Sequence, residues 1–327
     1  METFQNSTGQ QDMEKIARCN QVYLDALTSG DQDQLNKVAA EMEAPYIRLV
    51  LRERGILRNL ITPTPARNSD LVPTLEPSSL PRIIDFMEGA LPGAATVPFN
   101  ATTDIAWYTE NRFEIIFEYL QTKTYEKNIN ELRTQRNMDL RNLTLSNNLI
   151  DLETQEDVNF FNLCHTLVGP EGGVSPFTGR QQNHVINGGW TRENVTELVN
   201  FLIDNKLPNG VMVMNARTGN QYLKWGRDMW GGDGAEKMVT EGLKGAVTKA
   251  RLWGVNHLFT IKNDIIADNE VWIFTTQDFL GRFKELETTK VYIKREEDII
   301  THKAKELIGV TIANVPGVHR VRFAQGN

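Results

Sequence analysis

The sequence predicts an α+β protein, and three observations carry that expectation. First, Phe99–Val168 passes without a glycine or proline in a chain that holds 24 Gly and 12 Pro. Those two residues punctuate local structure most strongly, so this stretch is free to run as long strands and helices. Second, the stretch from Thr191 to Phe283 alternates amphipathic helical patterns with short apolar runs. Third, the C-terminal end reads as strands, Lys290–Arg295, Ile308–Ala313 and Val318–Phe323, the last two joined by a turn at Pro316-Gly317.

Taken in order, residues 14–54 read as helical. Ile16, Cys19, Val22, Tyr23, Ala26 and Leu27 recur at helical spacing, as do Leu35, Val38, Ala39 and Met42. Pro45 breaks the pattern, and a short helix, Tyr46–Arg54, ends at Gly55. Between Thr62 and Pro98 stand seven prolines (63, 65, 73, 77, 81, 92 and 98), a density that favours extended, surface-hugging chain over packed core. Residues 1–93 therefore read as an N-terminal arm ordered by contact with something else.

The glycine-free stretch follows. Thr96–Tyr108 and Arg112–Thr122 read as strands of a hairpin turned at Thr109-Glu110-Asn111, with Phe113, Ile115, Phe117 and Tyr119 on one face. A mixed segment with Leu132, Leu140, Leu143 and Leu145 leads into a long helix that ends at Gly169-Pro170. Its Leu149, Leu152, Glu156, Phe160, Leu163 and Leu167 form one stripe, with Phe161, Cys164 and Val168 beside it. Glu156 interrupts that stripe, either as a surface residue or as half of an inter-subunit ion pair.

Gly169–Gly189 is a glycine-rich loop or hairpin. Thr191 caps a helix with Val195, Leu198, Val199, Leu202 and Ile203 on one face, stopped by Pro208 and Gly210. Val211–Met214 and Val271–Phe274 read as buried strands. Between them come a helix through Tyr222, Leu223 and Trp225 and a loop at Gly231–Gly234, and Phe279–Phe283 reads as a short helix.

At 327 residues the chain can hold one large domain or two ordinary ones, and 40% hydrophobic with 24% charged residues is usual for a soluble globular protein. No apolar run approaches a bilayer span and the first thirty residues are polar and acidic, so cytoplasm-like conditions are expected. Cys19 and Cys164, the only cysteines, are expected to be reduced. Asn6, Asn100, Asn142 and Asn194 stand in N-x-Ser/Thr frames but are expected to stay unglycosylated. A net charge of −7 argues against a broad basic face for nucleic acid.

The search for chemistry assigns no catalytic, cofactor-binding or metal-ligating residue. Gly231-Gly-Asp-Gly234 follows a helix, and no GxxxxGK[ST] or GxGxxG frame occurs. Histidines 165, 184, 257, 302 and 319 are scattered singly, without metal-ligand spacing. Cys164-His165 lies in an apolar helical stripe and reads as structural rather than nucleophilic. Glu156-Asp157 and Glu296-Glu297-Asp298 read as solvated or salt-bridged faces. Aromatic Trp107, Tyr108, Phe113, Phe117 and Tyr119 crowd the hairpin, where Arg112 is the only basic residue between Thr96 and Thr122. A base-stacking platform needs interleaved cations, so these side chains read as anchors against another protein surface.

At this point an ordered series of segments resembles a known family. Trp107-Tyr-Thr-Glu-Asn-Arg-Phe-Glu-Ile115, Ile129-Asn-Glu-Leu-Arg133, Met138-Asp-Leu-Arg141 and Glu156-Asp-Val-Asn-Phe160 resemble the arm and long helix of a tailed-bacteriophage major capsid protein. Tyr222–Trp225, Gly254–Asn256, Thr260–Lys262, Asp278–Gly281, Tyr292–Lys294 and Ile308–Asn314 continue the similarity, which covers roughly residues 50–323. The resemblance implies the Hong Kong 97-type capsid fold. Residues 1–93 would be the N-terminal arm, 94–125 the extended β-hairpin loop over a neighbour, and 126–187 a peripheral domain with helix 147–168 as its spine. Residues 188–285 would be an α/β axial domain and 286–327 strands returning to the peripheral domain.

It further implies a non-enzymatic structural protein of the virion, assembled in the host cytoplasm into hexamers and pentamers of an icosahedral head around dsDNA, held without sequence-specific binding. The net negative charge fits a wall that does not hold DNA tightly. Expected partners are further copies of the chain, a separate scaffolding protein, a portal and a decoration protein, with no membrane and no cofactor. The separate scaffold is expected because only about ninety residues precede the hairpin. No lysine stands between Ala94 and Thr122, so closure by packing rather than by a lysine crosslink is expected. The alternatives are a cargo-enclosing nanocompartment shell of the same fold and an oligomeric α/β enzyme using residues 188–285.

Overall fold

The computed structural model describes residues 55–73, 79–89, 110–128, 140–225, 248–252, 255–296 and 298–324. The helices expected within 14–54, the strand Thr96–Tyr108 and the loop Gly231–Gly234 lie outside them. In chain order the elements are α1 (Leu57–Leu60), β1 (Thr64–Pro65), β2 (Arg82–Glu88), β3 (Glu110–Ile116), β4 (Glu118–Gln121) and β5 (Tyr125–Asn128). The long helix α2 (Leu140–Val168) follows, then β6 (Asn183–Asn187), α3 (Arg192–Asp204), β7 (Asn209–Asn215), α4 (Ala216–Gly219), β8 (Thr248–Leu252) and β9 (Val255–Thr260). Last come β10 (Glu270–Thr275), α5 (Gln277–Leu280), β11 (Gly281–Glu296), β12 (Ile299–Ile312) and β13 (Val318–Ala324). The chain forms two compact units. One comprises 1–55, 120–156 and 288–306, the other 56–119, 157–287 and 307–327.

The larger unit is built on a six-stranded mixed sheet in the order β6-β13-β10-β7-β9-β8. Its centre is β10, antiparallel to both β13 and β7. All six β10 residues are buried, because the strand is covered on both faces. Val271 and Ile273 join the cluster of Val195, Leu198, Leu202, Met212 and Tyr222 under α3. Trp272 and Phe274 point the other way, where Phe161 meets the Trp272 ring edge-on at 5.5 Å and Phe160 lies 5.7 Å from Phe274. The two-residue strand period thus makes one unbroken apolar run serve two cores. Thr191 caps α3 as expected, accepting from the Asn194 N–H at 3.3 Å.

Two expectations shift here. The terminal strand Val318–Ala324, expected among strands returning to a peripheral domain, lies inside this sheet between β6 and β10. Its Val321 and Phe323 alternate into the α3 core, which fixes it there. The helix expected over Phe279–Phe283 is the four-residue α5, and Phe283 already belongs to β11.

In the smaller unit, β5 pairs antiparallel with the start of β12, Ile299–His302 facing Asn128–Tyr125. Along β12, Ile300, His302, Ala304 and Glu306 are buried while their neighbours are less so, the alternation of a half-buried strand. The Ala304 N–H donates to Thr122 Oγ1 at 2.9 Å, and Thr289 Oγ1 donates to Glu306 Oε2 at 2.9 Å. Helix α2 begins at Leu140, seven residues before the expected start at 147, since nothing in that segment breaks a helix. Its Asn148, Glu153 and Glu156 are buried beside Leu152. Glu156 is therefore neither a surface residue nor available to a neighbouring subunit, which corrects both readings offered for it.

Candidate assembly surface

The larger unit also carries a two-stranded ribbon, β2 against β3, in antiparallel register from Arg82↔Ile116 to Glu88↔Glu110. Of the expected hairpin, only the second strand lies among the described residues, and it pairs with β2. Glu110 and Asn111, read as its turn, are the first residues of β3, and the partner strand comes from the proline-rich segment read as arm. Pro81 stands just before β2, where a missing N–H costs no ladder bond, and its carbonyl accepts from Phe117 N at 2.8 Å.

That hydrogen bond marks where the strand breaks. Ile115 and Phe117 are both buried, but Phe117 lies between β3 and β4, and the inward face then passes to Leu120. Tyr119, expected on the same face as Phe113, Ile115 and Phe117, is accordingly exposed. The one-residue parity change is what a bulge does to a strand. Phe117 packs with Ile83 and Leu307, so it roots the ribbon in its own subunit and is not an anchor for another. Gly309 allows the close seating, because a Cβ there would meet Ile115 Cγ2 at 2.7 Å and the Ile116 carbonyl oxygen at 2.9 Å.

The outward face carries Ile84, Phe86 and Ile116, all exposed, with Leu80 just before the strand. Phe86 is 51% exposed although Arg112 lies over its ring at 5.6 Å, and Arg82 pairs with Glu114 at 3.3 Å alongside. Behind the ribbon lies a cleft of about 380 Å³ lined by Phe86, Met87, Phe113, Phe279, Gly281 and Asn314. Phe279 is half exposed there. Covering half-exposed side chains of this size contributes about 1 kcal/mol each, so the ribbon face offers on the order of 3 kcal/mol per contact. That is weak for a pair of molecules and strong when repeated many times in a closed array.

A buried ion pair secures the chain entering this unit. Asp157 on α2 is fully buried, and its carboxylate accepts from the Ile56 N–H at 2.8 and 2.9 Å and from the Leu57 N–H at 2.8 Å. Lys262 Nζ donates to Asp157 Oδ2 at 2.6 Å. Burial pushes the carboxyl above its ordinary range, while Lys262 and the two N–H groups pull it back toward ionisation. The sequence placed Asp157 on a solvated or salt-bridged face; salt-bridged is correct, solvated is not.

The other residues weighed for chemistry are dispersed. Cys164 is fully buried and burial pushes its thiol well up, the state of an inert core thiol. His165 turns its ring edge to Trp272 at 4.8 Å. His257 holds its Nδ1 at 3.1 Å from the Val255 carbonyl and its Nε2 at 3.3 Å from Tyr222 Oη. Among the described residues no group of three or more His, Cys, Asp or Glu could hold a metal ion. Sequence reasoning did miss one pair: His184 and His319, 135 positions apart, meet at 3.2 Å because β6 and β13 run side by side.

No family model matches the chain, and no curated protein matches it in sequence. Solved structures match over nearly the whole length. A chain of the cyanophage Pam1 capsid asymmetric unit aligns over 87% of this chain and 97% of its own, at a TM-score of 0.58 and 12% identity. A chain from Microbacterium phage Oxtober96 aligns over 90% and 99%, at 0.56 and 12%. The capsid of an empty GTA particle aligns over 88% and 97%, at 0.52 and 14%. This mixed helix-and-sheet chain therefore has a shell-protein fold. More particularly, it is the fold of phage capsid chains.

Proposed function

We propose that this chain is the major capsid protein of a tailed phage, a structural subunit that closes with copies of itself into a virion head. The observation that carries the reading is the end-to-end likeness to capsid chains, 87–90% of this chain against 97–99% of the three described above. A rooted ribbon whose outer face exposes Ile84, Phe86 and Ile116 supports it, since contact that repeats from subunit to subunit would cover those side chains. In the Hong Kong 97-type arrangement we assign residues 1–81 to the arm and Arg82–Ile116 to the extended loop. Helix α2 is the spine of a peripheral domain, and the six-stranded sheet, β13 included, is the axial domain. Hexamers and pentamers then tile the shell around dsDNA, with assembly in the host cytoplasm and with separate scaffolding, portal and decoration proteins. The subunit does no catalysis, and its shell closes by packing.

The test is sedimentation and electron microscopy of the full chain expressed alone and with candidate scaffolding proteins. Rings or closed shells are expected. A stable 37 kDa monomer under every condition would refute the proposal.

A further inference from the structure

The edge of the six-stranded sheet holds a device that the capsid reading does not require. His184 on β6 stacks on Phe201 of α3 at 4.0 Å with the rings 8° from parallel, and His319 on β13 completes the stack 5.7 Å from Phe201. His184 Nε2 and His319 Nδ1 are 3.2 Å apart, and His319 Nε2 is 3.1 Å from Asn205 Nδ2. Asn205 is the residue that ends α3.

The proton positions follow from Asn205. Its Oδ1 accepts from Arg180 Nη1 at 2.8 Å, and its Nδ2 donates to the Phe201 carbonyl at 3.0 Å, so the amide orientation is fixed at both ends. Nδ2 therefore presents a hydrogen to His319 Nε2, which must be the unprotonated ring nitrogen. His319 carries its proton on Nδ1 and donates to His184 Nε2, which must be unprotonated too. A proton on His319 Nε2 would meet the Asn205 amide hydrogens, and one on His184 Nε2 would meet the Nδ1 hydrogen of His319. Only the neutral pair satisfies every contact.

We infer that His184, His319 and Asn205 form a proton-operated latch, fastening the C-terminal end of α3 to the β6–β13 edge and releasing it when either imidazole becomes an imidazolium. No neighbouring charge defeats the release. On the loop before β6, Arg180 is committed to Asn205. On and just after α3, Glu197, Asp204 and Lys206 are exposed. On β13, Arg320 holds Glu270 at 2.9 and 3.0 Å, and Arg322 holds Glu171 at 3.0 Å. No carboxylate among the described residues hydrogen-bonds either ring. Burial lowers the affinity of both rings for a proton, and at His319 the neighbouring His184 lowers it further, partly offset by a hydrogen bond with the Pro316 backbone.

The test is hydrogen–deuterium exchange of the full-length protein from pH 7.5 to pH 5, corrected for intrinsic rates and read on peptides covering 183–187 and 199–207. Release by one proton raises exchange of these peptides about tenfold from pH 6 to pH 5. The double variant His184→Gln with His319→Gln, which leaves neither position able to titrate, should flatten that rise to less than twofold. A wild-type profile that is flat, or a rise that survives in the double variant His184→Gln with His319→Gln, overturns the latch. Exchange at the imidazole C2 positions needs no variant. Both His184 and His319 should titrate below the ordinary histidine range, and an ordinary midpoint for either one also overturns it.

Discussion

Replacing Lys262 by methionine tests how the chain entering the larger unit is held. The substitution keeps most of the side-chain volume and strands the fully buried Asp157 carboxylate, whose other partners are the Ile56 and Leu57 N–H groups. Breaking a buried pair by removing one partner costs about 3–5 kcal/mol, because the remaining charge is left uncompensated. At about 2.1 cal/mol/K of unfolding entropy per residue, 327 residues give roughly 0.7 kcal/mol per kelvin, so a loss of about 4 kcal/mol lowers Tm by roughly 6 °C. Differential scanning calorimetry at pH 7 reads the shift. Adding Asp157→Asn to Lys262→Met should recover about 2 kcal/mol, since the double variant buries no lone charge. If Lys262→Met alone costs under about 0.5 kcal/mol, the ion pair is not what holds this junction.

Three further outcomes follow from the same structure. Ile84→Asp with Phe86→Asp changes only exposed ribbon positions, so circular dichroism and Tm should stay within a degree or two of wild type while particles vanish from sedimentation profiles. By contrast, Phe117→Ala removes a fully buried root residue and should destabilise the subunit by about 3–5 kcal/mol in denaturant titrations. His257 is buried and neutral, its pKa lowered to about 4 by desolvation, so its stability contribution is complete above pH 6.5 and declines as pH falls toward 4. Urea titrations at pH 7, 6 and 5 should show a slope approaching 1.4 kcal/mol per pH unit in that window from this group, absent in His257→Gln.

Much of the interior was legible in the sequence. The last part of the glycine-free run becomes α2, the Thr191 cap starts α3, and Val271–Phe274 is a strand buried on both faces. Each of those signals is local. What stayed hidden depends on residues distant in sequence. The ribbon pairs Arg82–Glu88 with Glu110–Ile116, and the prolines around β2 masked its strand pattern. The break at Phe117 is set by a carbonyl thirty-six positions earlier, Pro81, so periodicity alone carried the face on to Tyr119. The Asp157–Lys262 pair spans 105 positions and the His184–His319 pair 135, and neither has a spacing that a single chain pattern reveals. The capsid fold itself was legible only through the ordered series of segments that resembles the family.

Cryo-electron microscopy of particles formed by the full chain tests the central claim most directly. The account predicts closed shells in which the outer face of the ribbon, Ile84, Phe86 and Ile116, is covered by a neighbouring subunit, and no covalently linked ladder on a denaturing gel of the same particles. A particle map with that face open to solvent, or a protein that never assembles, would contradict it.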